Sequence, residues 1–289
     1  MFSFYVINKK NLISGIIVLS VIIGTFTAFL RGKAVETSLK QGIEVPIIMY
    51  HSVLEDKSRQ GDYVVTPETL ESDIKFLKNK DYSFILIEDL IKYVYEDKPL
   101  PKKPVVLTFD DGYYNNMLYL PPILEKYNAK ASIAVVGKFT DIFSEQDSHN
   151  PNYSHLTWED IKELSKKDYF EISNHSYNMH ETKERLGCFK MKGETKDEYE
   201  KNLSEDILRM QEALKEKSDV LCEVFTYPYG KVSNDSVEII KKLGFKATLS
   251  CYEKTSLVTK EKESLYLLGR YNRPANISTQ NFMRKINIK

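Results

Sequence analysis

The chain has 289 residues, and its 41 Lys and Arg balance its 41 Asp and Glu, so the formal net charge is zero. Nucleic-acid-binding proteins normally carry a clustered basic excess, so this balance argues against a nucleic-acid partner. The sequence also contains no P-loop and no G-x-G-x-x-G motif, so we expect no nucleotide partner. A hydrophobic content of 42% over this length indicates a globular protein with a sizeable core.

An uncharged apolar stretch, residues 12–30, lies near the N-terminus between Lys9–Lys10 and Arg31. As a helix it would span roughly 28 Å at about 1.5 Å per residue, which is close to the thickness of a bilayer core. A cleaved signal peptide has a similar layout, but no A-x-A-like cleavage site follows residue 30. We therefore favour an uncleaved single-pass membrane anchor, with secretion after cleavage as the alternative. Either alternative places the rest of the protein outside the cytoplasm.

The sequence divides into three parts: residues 1–33 are the anchor or signal peptide, residues 34–44 are a polar linker, and residues 45–289 form one domain. In that domain, apolar β-rich runs alternate with helical patterns. The predicted strands cover residues 45–53, 84–87, 105–109, 131–136, 170–173, 223–226, 245–250 and 265–268. The predicted helices begin near Pro67, Leu90, Leu118, Trp158, Lys196, Asn234 and Ser278. Seven or eight such units predict an α/β fold, either a (β/α) barrel or a doubly wound sheet.

Three cysteines, Cys188, Cys222 and Cys251, are scattered without any C-x-x-C spacing. An odd, unclustered set is neither a disulfide scaffold nor a zinc ribbon, although one pair could form. We expect buried or half-buried free thiols.

Two adjacent carboxylates, Asp110 and Asp111, end the apolar strand 105–109 and precede Gly112. Neighbouring strand residues face opposite ways, so the two can share a site only where the strand breaks into a loop. An ordinary acidic turn is the simpler interpretation of these three residues alone.

Chemistry-bearing residues also follow other predicted strands, and parallel α/β folds place their sites at those carboxyl ends. These residues are Tyr50-His51, Asn174-His175 with His180, and Tyr227-Pro228-Tyr229-Gly230. With an aspartate, His175 and His180 would make a two-histidine, one-carboxylate metal site with open positions. His149 and His155 lie in a polar segment that we expect to be a surface loop without a role.

The motifs Thr108-Phe109-Asp110-Asp111-Gly112, His175-Ser176-x-x-x-His180 and Tyr227-Pro228-Tyr229-Gly230 resemble those of the polysaccharide deacetylases. These enzymes carry the NodB-homology domain of carbohydrate esterase family four. The resemblance covers residues 45–289 and implies a distorted (β/α) barrel. It also implies removal of acetyl groups from a polysaccharide with the help of a divalent metal, here expected to be zinc.

Carried over from the family, Asp110 would be the general base, and Asp111, His175 and His180 would hold the metal. The backbone near Tyr229 would contribute to the oxyanion site.

This sequence departs from the common family pattern in three ways. Its histidines are five residues apart where many members have four, and no later histidine follows His180 to act as the acid. Thr226 also stands where most members have an arginine before the Pro-Tyr motif.

In these departures the sequence resembles the branch of the family that deacetylates poly-β-1,6-N-acetylglucosamine in biofilm matrix. There an early Tyr-His strand end supplies the acid, which assigns that role to His51. We assign substrate contacts to Tyr50, Tyr227, Pro228, Tyr229 and Arg270, the last lying in a Leu-Gly-Arg segment similar to that branch. The alternatives are a peptidoglycan, chitooligosaccharide or acetyl-xylan deacetylase, or a non-catalytic carbohydrate-binding module.

Overall fold

The computed structural model describes residues 19–29 and 42–288, and these fall into two compact units. In the first unit, residues 19–29 form helix α1, whose large apolar side chains are exposed. Within the two described ranges, we find no helix that combines the length and the apolar character needed to cross a bilayer. The predicted anchor, residues 12–30, and the linker lie largely outside the described residues.

The second unit, residues 43–289, contains the strands and the remaining helices. The strands are β1 (Ile43–Val45), β2 (Ile47–Tyr50), β3 (Ser52–Val53), β4 (Val64–Val65), β5 (Ser83–Phe84), β6 (Pro104–Phe109), β7 (Ala131–Val135), β8 (Phe170–Asn174), β9 (Val224–Thr226), β10 (Ala247–Leu249), β11 (Ser256–Val258) and β12 (Tyr271–Asn272). The helices are α2 (Pro67–Asn79), α3 (Ile87–Tyr95), α4 (Tyr114–Tyr127), α5 (Gly137–Gln146), α6 (Trp158–Ser165), α7 (Lys196–Ser218), α8 (Ser236–Lys242) and α9 (Thr279–Lys285).

One parallel sheet organises this unit, with strand order β10-β9-β8-β7-β6-β2-β12 and β5 paired to the start of β6. The sheet curls, because Leu268, just before β12, forms a parallel bridge with Leu249 of β10. The predicted α/β class is confirmed, and the curled parallel sheet is consistent with the NodB type of barrel. The carboxyl ends of β2, β6, β8 and β9 therefore meet on one side.

Helix starts follow the capping chemistry of the sequence. The hydroxyl of Thr66 accepts the backbone N–H of Thr69 at the start of α2, with Pro67 at the first helical position. Thr157 and Thr195 cap α6 and α7 in the same way, each with a reciprocal carboxylate three residues on.

Several predicted boundaries are wrong. The predicted strand 45–53 is split into β1, β2 and β3, because Pro46 has no N–H to continue a ladder and β1 pairs instead with β11. Residues 265–268 are not the last strand: Leu265 ends a 3₁₀ turn, Lys262–Leu265, and the last strand is β12. Helix α4 starts at Tyr114 and contains Pro121 and Pro122 in its interior.

A buried ion pair ties α2 to the C-terminal end of the sheet. The Nε of Arg273 donates to Asp73 at 2.7 Å, and both side chains are almost fully buried. The hydroxyls of Tyr50 and Thr279 donate to the same carboxylate at 3.0 and 2.6 Å. Because all three donors converge on one buried carboxylate, the network holds Tyr50 in place at the end of β2.

The three cysteines are free thiols: Cys188 and Cys222 are buried and Cys251 is half-buried. The expectation of free thiols is confirmed.

Candidate metal centre and active site

The turn after β6 places one of the two adjacent carboxylates at the candidate metal centre. Asp111 and Gly112 both have positive φ angles, 71° and 65°. A Cβ at position 112 would also lie only 2.9 Å from Cγ1 of Val135. Both its positive φ and this close approach therefore require glycine at position 112. A left-handed aspartate costs on the order of 1 kcal/mol, which the surrounding contacts must offset. The strand thus breaks where it must for the two carboxylates to share a site.

Asp111, His175 and His180 offer one ligand atom each, and these three atoms lie within 4.8 Å of one another. Oδ1 of Asp111 is 3.0 Å from Nε2 of His180 and 3.5 Å from Nε2 of His175. His175 comes directly after β8 and His180 lies in the loop that follows, so the five-residue spacing is accommodated without a helix. The structure brings together the three ligands expected from the sequence.

The hydrogen bonds around His175 show that this triad suits a cation. Its Nδ1 lies 2.8 Å from the backbone oxygen of Thr226, which can only accept, so Nδ1 carries the proton. In the neutral imidazole, Nε2 then presents a lone pair towards the carboxylate of Asp111. Two facing acceptors repel unless a proton or a metal ion lies between them, and two imidazoles with one carboxylate suit zinc among other divalent metals.

The titration of the triad agrees with this argument. Although burial acts to lower the pKa of His175, the hydrogen bond and charge of Asp111 raise it above the ordinary value. Burial likewise opposes ionisation of Asp111, but hydrogen bonds from His175 and His180 hold the pKa of its carboxyl well below the usual range. The site therefore stabilises a positive charge between these groups, and a divalent ion would take the place of the proton.

Tyr229 supports the second histidine. Its hydroxyl lies 3.0 Å from Nδ1 of His180, and the two rings are 4.5 Å apart. Tyr229 has a left-handed φ of 56° and a side chain that is 40% exposed, so it stands at the edge of the site. This contact leaves Nε2 of His180 directed at Asp111.

Asp110 forms a buried two-point ion pair with Arg270. Nη1 and Nη2 of Arg270 donate to the two carboxylate oxygens at 2.6 and 2.8 Å. Arg270 also donates from Nε to the backbone oxygen of Ser250 at 2.9 Å. Burial acts to raise the pKa of Asp110, but the charge of Arg270 outweighs it and lowers that pKa. Asp110 is thus ionised at neutral pH.

His51 lies in the same cavity as this ion pair and is held from one side by an aromatic ring. Its ring centroid is 4.8 Å from that of Tyr63 in an edge-on contact. Burial lowers the pKa of His51, although the charges of Asp110 and Asp111 oppose the shift. Its Nδ1 is buried without a hydrogen-bond partner.

A cavity of about 400 Å³ joins these groups. It is lined by Met49, His51, Tyr63, Asp110, Asp111, Tyr113, His175, His180, Tyr229, Cys251, Glu253 and Asn272. The expected base, acid and metal ligands thus meet in one cavity, and their roles remain predictions.

Four of the expected substrate contacts are not part of this lining. Tyr50 and Tyr227 are buried, with their hydroxyls bonded to Asp73 and Ser236, and Pro228 is also buried. The side chain of Arg270 has no exposed surface and is fully used by Asp110 and its neighbours. In this geometry none of these four residues contributes to the cavity lining, and their assignment as substrate contacts stays a prediction.

His155 was expected to lie in a surface loop without a role, but it is half-buried and contacts the turn after β6. Its Nδ1 lies 2.8 Å from the backbone oxygen of Asp111, and its ring stacks on Tyr113 at 4.7 Å. Burial lowers the pKa of His155. The polar residues 147–154 around it predict a surface loop, and nothing in that pattern indicates a fold back onto the turn after β6.

Tyr63, Tyr113 and Asn272 also line the cavity, although they were not predicted from the sequence. Asn272 donates to the backbone oxygen of Asp62 at 2.9 Å, and its own Oδ1 is buried without a partner. Tyr113 directly follows the Asp-Asp-Gly motif, which could have identified it. Tyr63 lies in an irregular segment before β4 and Asn272 in the two-residue strand β12, and neither carries a comparable pattern.

Two relatives of established name resemble this chain. One is the poly-β-1,6-N-acetyl-D-glucosamine N-deacetylase of Escherichia coli K12, 28% identical over 217 residues; the match covers 68% of this chain and 32% of that protein. The other is the enzyme of the same name from Staphylococcus aureus MRSA252, 28% identical over 209 residues, covering 71% of this chain and 67% of that one. The chain thus matches only about a third of the length of the Escherichia coli relative.

Among solved structures, the de-N-acetylase from Aggregatibacter actinomycetemcomitans aligns with a TM-score of 0.70 at 22% identity. The alignment covers 83% of this chain and all of that one, so the two share a fold.

The family model for polysaccharide deacetylases matches residues 97–248, which is 152 of the 289 residues. The matched span contains Asp110, Asp111, His175 and His180, whereas His51 and Arg270 lie outside it. Because the match covers more than half of the chain, this protein belongs to the polysaccharide deacetylase family.

Proposed function

We propose that this chain is a metal-dependent hydrolase that removes N-acetyl groups from poly-β-1,6-N-acetyl-D-glucosamine. The observation that carries the proposal is the cavity in which an ionised Asp110, the Asp111–His175–His180 triad and His51 meet. The substrate is proposed because relatives from two bacteria carry that name. The order of the site residues in this chain, with His51 at the end of β2 before the Asp-Asp motif, supports the same substrate.

In this proposal Asp111, His175 and His180 hold a divalent ion, and zinc is our choice. When bound, such an ion supplies Lewis-acid polarisation of the acetyl carbonyl and of the attacking water. Thr226 and Tyr229 keep the two imidazoles turned towards that position through Nδ1.

Asp110 would accept a proton from the attacking water. Its two oxygens are shared with Arg270, but each carboxylate oxygen has a second lone pair, so it can still accept. Arg270 keeps Asp110 ionised and fixes its plane, which is a positioning role. The attack forms the new carbon–oxygen bond at the acetyl carbonyl.

His51 would donate a proton to the departing nitrogen as the carbon–nitrogen bond breaks, which yields acetate and a free amine. Because burial lowers the pKa of His51, the imidazolium depends on the nearby charges of Asp110 and Asp111. The charges of Asp110 and Asp111 therefore favour the proton that the acid must carry, against the effect of burial.

The test is acetate release from acetylated β-1,6-glucosamine oligomers, with chitin oligomers, peptidoglycan fragments and acetyl-xylan compared under the same conditions and with zinc added. We expect release from the β-1,6 oligomers. Preference for another polymer would overturn the substrate assignment, and release from none of them would favour a carbohydrate-binding module.

Two variants separate the proposed roles. Asp111→Ala should abolish both zinc binding and acetate release, because the triad loses its only carboxylate. His51→Ala should keep zinc binding but lower kcat by about 10²–10⁴-fold, the usual contribution of a general acid. Full activity of the His51 variant would show that the acid lies elsewhere.

The location of the protein outside the cytoplasm is also a proposal, and it rests on the apolar residues 12–30. Protease accessibility of the catalytic unit on intact cells would test it, and full protection would contradict it.

A further inference from the structure

The segment 150–156, which precedes α6, makes hydrogen bonds to the turn that carries Asp111 and to the start of α4. Four hydrogen bonds join them, with two between backbone atoms: Leu156 N–H donates to Gly112 at 2.8 Å, and Tyr114 N–H donates to Ser154 at 2.9 Å. Asn115 donates from its side chain to Pro151 at 2.9 Å. The fourth contact belongs to His155.

His155 reaches the one backbone group that directly adjoins the candidate ligand. Its Nδ1 lies 2.8 Å from the carbonyl oxygen of Asp111 itself. A carbonyl oxygen only accepts, so Nδ1 of His155 must carry the proton and donate. This donor restrains the peptide group that follows Asp111, where the backbone is in the left-handed region.

Aromatic packing fixes the ring that makes this hydrogen bond. The ring of His155 lies 4.7 Å from Tyr113, 4.6 Å from Phe139 and 5.4 Å from Phe143. Phe139 also contacts the ring of His180 edge-on at 5.7 Å. His155 is therefore held by groups that themselves border the triad.

We propose that His155 is a positioning residue for the metal centre. It holds Asp111 in the left-handed conformation that directs its carboxylate at His175 and His180. Each of the three candidate ligands then has a supporting contact: Thr226 for His175, Tyr229 for His180 and His155 for Asp111. The inference rests on the metal site of the proposed function, but it does not depend on the substrate.

Two substitutions separate the hydrogen bond from the packing. His155→Phe keeps an aromatic ring against Tyr113 and Phe139 but cannot donate. His155→Asn loses the ring but retains an N–H near the position of Nδ1. The readout is the zinc dissociation constant of the full chain, measured by competition with a chromophoric chelator, with far-UV circular dichroism as the check on folding.

We expect His155→Phe to weaken zinc binding by about 10–100-fold, the usual effect of losing a group that supports a metal ligand. His155→Asn should bind zinc more tightly than His155→Phe. Wild-type affinity in the Phe variant would overturn the proposal, and so would an Asn variant as weak as the Phe variant, because packing alone would then explain the effect.

A measurement on the wild-type protein keeps the proposal testable if the variants fail to fold. Nitrogen-15 chemical shifts of the histidine rings report which ring nitrogen carries the proton, and His155 should be in the Nδ1–H form. Finding the Nε2–H form would overturn the inference. Wild-type protein that binds no zinc would instead contradict the metal site of the proposed function, so the two failures are distinguishable.

Discussion

Replacing Arg270 by glutamine should convert Asp110 from a stabilised carboxylate into a buried, unpaired one. The two side chains are 0% and 4% exposed, so solvent cannot take over the role of the guanidinium. Breaking a buried pair by removing one partner costs roughly 3–5 kcal/mol. Part of that cost is independent of pH, because the variant also loses the hydrogen bond from Nε to Ser250.

The remaining cost should depend on pH in a defined direction. In the wild type the pKa of Asp110 is lowered, so its stabilising contribution is present above the unfolded-state pKa of about 4 and is lost as pH falls through the folded-state value. In Arg270→Gln, burial acts without an opposing charge and should raise that pKa. The folded variant then binds more protons than the unfolded chain above about pH 4, so its stability falls as pH rises.

The free energy of unfolding of the wild type minus that of the variant should therefore grow by up to about 1.4 kcal/mol per pH unit above about pH 4, until the new pKa is reached. Urea unfolding of chelator-treated protein, followed by the fluorescence of the single Trp158, measures this difference at each pH. Arg270→Lys is the control, because it keeps the charge and should show little dependence on pH. A difference that stays constant with pH, or equal behaviour of the Lys and Gln variants, would refute the reasoning.

Two further predictions concern the triad and the buried network. Zinc affinity should weaken by about tenfold for each pH unit below the raised pKa of His175, because its imidazolium must lose a proton to bind metal. Chelator competition at several pH values would measure this change. An affinity that does not depend on pH would contradict the prediction. Asp73→Ala should lower the free energy of unfolding by about 3–5 kcal/mol, because Arg273 is left buried without its partner. Urea unfolding would test this second prediction, and a loss within the ±0.5 kcal/mol typical of surface substitutions would count against it.

The sequence predicts those parts of the site that depend on short-range pattern. The strand that ends in Asp110 and Asp111 has a continuous apolar run, and a glycine follows where the backbone turns left-handed. Because parallel strands place their carboxyl ends on one side, the same pattern predicts that His175 and His180 approach Asp111. Capping boxes at Thr157 and Thr195 likewise locate two helices from a few adjacent residues.

Residues that act through long-range packing could not be predicted in this way. Arg270 was expected to contact substrate, yet its buried side chain pairs with Asp110 across the sheet. His155 lies in a polar segment, and its hydrogen bond to Asp111 depends on how that segment folds back. Tyr50 was expected in the cavity, but its hydroxyl is taken by Asp73 on α2. In each case the partner is distant in sequence and local composition is uninformative.

The arrangement around β12 has a consequence for the order in which the protein acquires activity. Arg270 is 160 residues from Asp110 in the chain, whereas the candidate metal ligands all lie between Asp111 and His180. Contacts between distant residues carry a larger loop-closure cost than local ones, so we expect them to form later in folding.

A folding intermediate without the β12 segment could assemble the metal ligands while Asp110 still has no counterion. The carboxyl of Asp110 would then lack the two hydrogen bonds from Arg270 that fix its plane, so it would be poorly placed to act as the base. On refolding, zinc binding should therefore recover before deacetylation does, and the interval between them would report the docking of the last strand.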